Sequence, residues 1–160
     1  MTRNRIIIGI LFIFAVIAVA ATIYINRYMS TPKQSPIEHD SSAISGVPDV
    51  SDELGYSEVY REGMPFSAHI CGVIKPDANN DAEVFFTNDS TNDVLLMLQV
   101  LDDTGSVIAS TGTINPGEYI SSIHLDNKPD SGADIKLKIC AINPDSHYSE
   151  GSVILNTTIS

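Results

Sequence analysis

The sequence predicts an all-β domain of seven strands, preceded by a single membrane-spanning helix and a disordered stalk. Three observations carry this. Residues 6–25 form an apolar run with no charge and no proline. Residues 30–64 are rich in Pro, Ser and acids and show no helical or strand period. From residue 64 onward, short β-rich runs alternate with turn signals, the pattern of a sandwich or barrel.

The run at 6–25 has the length a helix needs to cross a bilayer at about 1.5 Å rise per residue. Arg3 and Arg5 precede it and Arg27 follows, with Lys33 further on. That bias favours a cytoplasmic N-terminus and an extracytoplasmic C-terminal domain. Tyr24, Arg27 and Tyr28 read as an interfacial anchor. A cleaved signal peptide is the alternative, because Ala18-Val19-Ala20 presents small residues where a peptidase would cut. The run continues through Ile25, longer than the roughly 7–15 residues of an ordinary signal core, and retention is favoured. No cysteine ends the run, so a lipoprotein anchor is excluded. The expected organisation is an anchor over 1–29, a stalk over 30–64 and a domain over 65–160.

The stalk opens with Ser30-Thr-Pro-Lys-Gln-Ser-Pro36 and continues through Ser41-Ser-Ala-Ile-Ser-Gly-Val-Pro48. Such composition favours extended chain. Residues 52–60 contain one candidate helical turn. The expected strands then run over 66–74, 82–87, 94–101, 107–110, 119–125, 135–142 and 152–159. Their boundaries are turn-forming clusters such as Asn88-Asp-Ser-Thr-Asn92, Asp102-Asp-Thr-Gly105 and Ile114-Asn-Pro-Gly117. Ile135, Leu137 and Ile139 alternate with Lys136, Lys138 and Cys140, as a strand with one apolar face requires. Ile120, Ile123 and Leu125 are less regular. Residues 94–101 are almost continuously apolar, which suggests a central strand covered on both sides.

Residues 30–160 hold 6 Lys/Arg against 20 Asp/Glu, a balance of −14. Nucleic-acid binding needs cations to neutralise phosphates, and only Lys75, Lys128, Lys136 and Lys138 lie beyond residue 65. Nucleic acid is therefore excluded as a partner. Cys71 and Cys140 are candidates for one disulfide in an oxidising compartment. Two buried thiols are the alternative. Asn88 and Asn156 begin glycosylation sequons, which matter only in a secretory eukaryote.

The run Phe85-Phe-Thr-Asn88, the apolar strand 94–101 and the Asp103-Thr-Gly105 hairpin are followed by the Pro116-Gly117 turn. After them come Ile120-Ser-Ser-Ile-His-Leu125, a Gly132-initiated strand and the final run 153–159. This order resembles a group of small membrane-anchored Gram-positive surface proteins with one immunoglobulin-like sandwich. The likeness spans about residues 82–160 and departs at Ala133-Asp-Ile, where the group more often has an aromatic. It implies a Greek-key, immunoglobulin-like fold. The group has no established activity, so no catalytic residue is carried over.

Other constellations are weak. Asp77-Ala-Asn-Asn-Asp81 begins like a calcium loop, but Ala82 and Asn88 stand where Gly and a bidentate Glu belong. Asp102, Asp103, Asp126, Asp130 and Asp134 are better read as turn formers. His69, Cys71, His124 and Cys140 lack the close ligand spacing of a zinc site. No nucleophile elbow or phosphate loop is present. The expectation is a non-enzymatic, membrane-tethered binding module without cofactor, whose partner is an unidentified envelope protein. The alternative is a carbohydrate- or calcium-dependent sandwich. A C-terminal strand at a sheet edge would offer a partner unpaired backbone groups; pairing inside the domain is the favoured alternative for that strand.

Overall fold

The computed structural model describes residues 18–19, 37–59, 62–127 and 129–160. Ala18 and Val19 are helical. The rest of the expected anchor lies outside the described residues. No described helix is long and apolar enough to cross a membrane.

Nine described strands form two antiparallel sheets. They are β1 (Ile44–Ser45), β2 (Tyr56–Val59), β3 (Ala68–Cys71), β4 (Asp81–Asn88), β5 (Leu95–Leu101), β6 (Val107–Ser110), β7 (Glu118–His124), β8 (Asp134–Ile142) and β9 (Ser149–Thr158). The five-stranded sheet has the order β1-β7-β4-β3-β2, and the four-stranded sheet β6-β5-β8-β9. Each of the seven expected strands has a counterpart. The first is shorter, because only Ala68–Cys71 is strand and Ile74 makes an isolated bridge to Ile159.

Alternation explains why the two sheets face each other. Leu96, Leu98 and Val100 of β5 point inward with Ile135, Leu137 and Ile139 of β8. They share one core with Ala68, Ile70, Val84, Phe86 and Ile120 from the other sheet. The expectation that β5 is covered on both sides is corrected. Leu95, Met97, Gln99 and Leu101 are only half-buried, so one face of this apolar strand is turned outward.

A bulge in β4 between Glu83 and Phe86 accounts for the uneven pattern of β7. Phe85 has φ 40°, a left-handed conformation costly for a residue with Cβ. The pairing resumes at Phe86 opposite Ile120, so Ile120 and Ile123, three residues apart, both reach the core.

The reading of 30–64 as a stalk also changes. From residue 37 this stretch lines the sandwich: β1 pairs with β7 and β2 pairs with β3. The segment is polar because it is held by hydrogen bonds instead of apolar burial. Asp40 N–H donates to the Thr113 carbonyl (2.9 Å), and Thr113 N–H donates to that of Glu38 (3.0 Å). The Asp40 carboxylate accepts from Gly112 N–H (2.8 Å) and from Ser42 N–H and Oγ–H. At Gly112 a Cβ would stand 2.6 Å from the Glu38 carbonyl oxygen, so the arm can approach only a glycine.

Candidate functional site

The residues singled out in the sequence do not converge. Cys71 lies on β3 of one sheet and Cys140 on β8 of the other, and both are buried free thiols. Their neighbours explain the directions. Ala68 and Ile70 point between the sheets, so alternation turns buried Cys71 to the opposite face of β3. Cys140 pairs with outward-facing Met97. The two thiols thus flank a core roughly 10 Å thick, beyond the roughly 7 Å Cα limit for a disulfide. Burial pushes the Cys71 thiol up to about 11, with Glu83 adding to it. Burial also raises Cys140, opposed by Lys138. Neither is a ready thiolate nucleophile.

The histidines are engaged separately. His69 stacks on Tyr56 with ring centroids 5.6 Å apart, and Tyr56 Oη is 2.8 Å from Thr87 Oγ1. His124 Nδ1 is 2.9 Å from Asp81 Oδ1. His39 Nε2 is 2.9 Å from Glu118 Oε2. The Asp77 carboxylate accepts from Asn79 and Asp81 N–H, and that of Asp102 from Thr104 Oγ1–H and Ser106 N–H. Both close turns. Among the described residues, no group of three or more His, Cys, Asp or Glu is placed to hold a metal ion.

A carbohydrate-binding sandwich would need exposed aromatics, but Phe66 and Phe86 are core residues. Phe85 and Tyr119 are half-buried and Tyr148 is exposed. A cleft of about 350 Å³ lies beside Tyr56, His69, Thr87 and Asp89. Several of its polar groups are already used. Thr87 bonds Tyr56, and Asp89 accepts from Thr91 N–H and Oγ1–H.

Asn88 is a structural centre that the sequence marked only as a turn. It is fully buried. Its Nδ2 donates to the carbonyls of Val94 (2.9 Å) and Ile114 (3.0 Å), and its Oδ1 accepts from Asn92 Nδ2. It therefore ties the β4–β5 connection to the β6–β7 connection. Its burial also closes that sequon in the folded domain, while Asn156 is exposed.

The feature that stands apart is an edge. The five-stranded sheet ends in β1, of two residues, and β2, of four. The four-stranded sheet ends in β6, of four residues, and β9, of ten. Short edges are self-limiting, whereas a long edge offers a row of donors and acceptors. From 151 to 160 the chain has no charge and no proline, two of the usual protections. A bulge at the start of β9, where Ala141 pairs with Gly151 and Ile142 with Ser149, protects only that end. At the other end Ser160 N–H donates to the Ile74 carbonyl (2.9 Å) and Thr157 Oγ1–H to that of Gly72 (2.8 Å). Between these ends, residues 152–156 have their inner side on β8 and their outer edge open among the described residues.

The side chains beside this edge suit a partner. Val153 is buried and Leu155 packs against the core. Ser152, Ile154 and Asn156 face outward, with Ile154 49% exposed. Half-buried Met97, Lys136 and Lys138 lie on the same outer face. No family model and no curated protein matches the chain.

Proposed function

We propose that this protein is a non-enzymatic module tethered to a membrane by residues 6–25, with an extracytoplasmic immunoglobulin-like sandwich that binds another protein at the cell envelope. The observation that carries the binding reading is the uncharged middle of β9, open among the described residues and the one long edge of the four described. Its unpaired backbone groups favour addition of a strand, in which main-chain bonds supply affinity and alternate side chains supply choice.

The immunoglobulin-like assignment rests on connectivity. Strands β3, β4 and β7 lie in one sheet and β6, β5, β8 and β9 in the other. Hairpins join β3 to β4, β5 to β6 and β8 to β9, while the β4–β5, β6–β7 and β7–β8 connections cross between sheets. This connectivity supports the Greek-key, immunoglobulin-like reading. β1 and β2 are additions to its edges.

The membrane assignment rests on the uncharged run at 6–25 and its flanking arginines. The full chain should resist alkaline extraction from membranes, and its β-domain should be open to protease added to intact cells. Release by alkali, or protection from protease, overturns the placement. For the binding role, the full chain should capture an envelope protein that an Ile154→Lys variant fails to capture. Equal capture by both would remove β9 as the binding element.

A further inference from the structure

We infer that β9 pairs antiparallel with β9 of a second copy, joining two four-stranded sheets into one of eight. This rests on the reading of β9 as the binding edge and names its occupant. The argument begins with self-complementarity. A two-fold axis normal to the sheet makes every contact occur twice, so a strand can pair with itself only if no like charges meet. Residues 151–158 carry no charge. With the axis near Val153, Ser152 of each copy lies opposite Ile154 of the other. The exposed Ile154 side chain is then covered on both sides of the axis. Buried Val153 meets its own equivalent, extending the core row of Val153 and Leu155 across the junction.

The flanking charges agree with this orientation. The acidic end of the strand is Glu150, and antiparallel pairing carries it toward Asn156 of the other copy. Asn156 is paired on its inner side with Lys136, and Ile154 with Lys138. Each copy thus brings its Glu150 toward the lysine-bearing end of the other. Parallel pairing would align Glu150 with Glu150 and gains nothing from the lysines. The open window also has the right limits. The bulge at Gly151 and the 72–74 segment at Thr157 close the strand at both ends, leaving a short register range.

The test is the mass of the full chain in detergent micelles across a concentration series, measured by sedimentation equilibrium with the detergent matched out. The wild-type chain should pass from one copy to two. Ile154→Lys should raise the dissociation constant roughly tenfold or more, since it withdraws both Ile154 side chains from the junction and places a new cation beside Lys138 in each copy. Ser122→Lys, at an exposed position on the other sheet, should associate like the wild type. Amide exchange in 152–156 should slow on association and stay unchanged elsewhere. A wild-type chain that remains one copy throughout overturns the inference, and so does a two-copy state that Ile154→Lys leaves intact. Single-copy behaviour with Ile154-dependent capture of a different envelope protein would overturn self-pairing while leaving β9 as the binding edge.

Discussion

The two ends of this sandwich solve the same problem differently. At β7 of the five-stranded sheet, the edge is closed by the arm at 38–46, which pairs as β1 and is fastened by Asp40, by His39 on Glu118 and by the backbone of Thr113. At β9 of the four-stranded sheet, only the tip is covered and the middle stays open among the described residues. The closed edge uses polar contacts that hold an otherwise hydrophilic segment in place. The open edge keeps β-branched and apolar residues with no charge among them. The same fold thus holds one edge that described residues protect and one that they leave open.

The contrast can be broken most forcefully at Asn88. An Asn88→Ala substitution removes three side-chain hydrogen bonds, leaving the Val94 carbonyl buried without its donor and the Ile114 carbonyl with only the Leu96 N–H, and should cost about 3 kcal/mol. Urea unfolding monitored by circular dichroism would show it. Gly112→Ala acts on the arm alone, because its Cβ would collide with the Glu38 carbonyl. Destabilisation of about 1–3 kcal/mol is expected, with fast amide exchange at 44–45 and undisturbed exchange in β8.

Acid should loosen the same closure more gently. Burial acts to raise the Asp40 carboxyl, but hydrogen bonds from Ser42 and Gly112 outweigh it and hold it below its ordinary value. Burial likewise opposes the lowering at Glu118, where bonds from His39 and Asn115 prevail. Depressed carboxyl groups stabilise the fold fully above their unfolded values, and this contribution is lost as pH falls through the folded values. Below about pH 4, the Gly112 amide resonance should therefore shift while core resonances of β5 and β8 stay fixed. The smallest effect on stability is expected at the open edge. Ile154→Lys should change the unfolding free energy by no more than about 0.5 kcal/mol, as usual for surface sites, while reducing association.

The strands built on alternation were legible in the sequence. Ile135, Leu137 and Ile139 mark one face of β8 without any knowledge of its neighbours. β1 and β2 were not legible, because their residues carry little apolar signal and their partners lie far along the chain. Ile44 pairs with Tyr119, and Asp40 bonds Gly112. Ile120 and Ile123 looked irregular until the bulge at Phe85 supplied the change of phase. The β9 run itself was visible, but its exposure on an edge depends on sheet order, which no local pattern encodes. Likewise, Cys71 and Cys140 could be counted, but only the sheets show that they point away from each other.

The most direct measurement is site-specific photo-crosslinking in intact cells, with a photoreactive residue at position 154 or at position 122 of the full chain. Covalent adducts to protein should form at 154, including one of twice the chain's mass, with position 122 at background. Equal yields at the two positions, or no protein adduct at 154, would contradict the account.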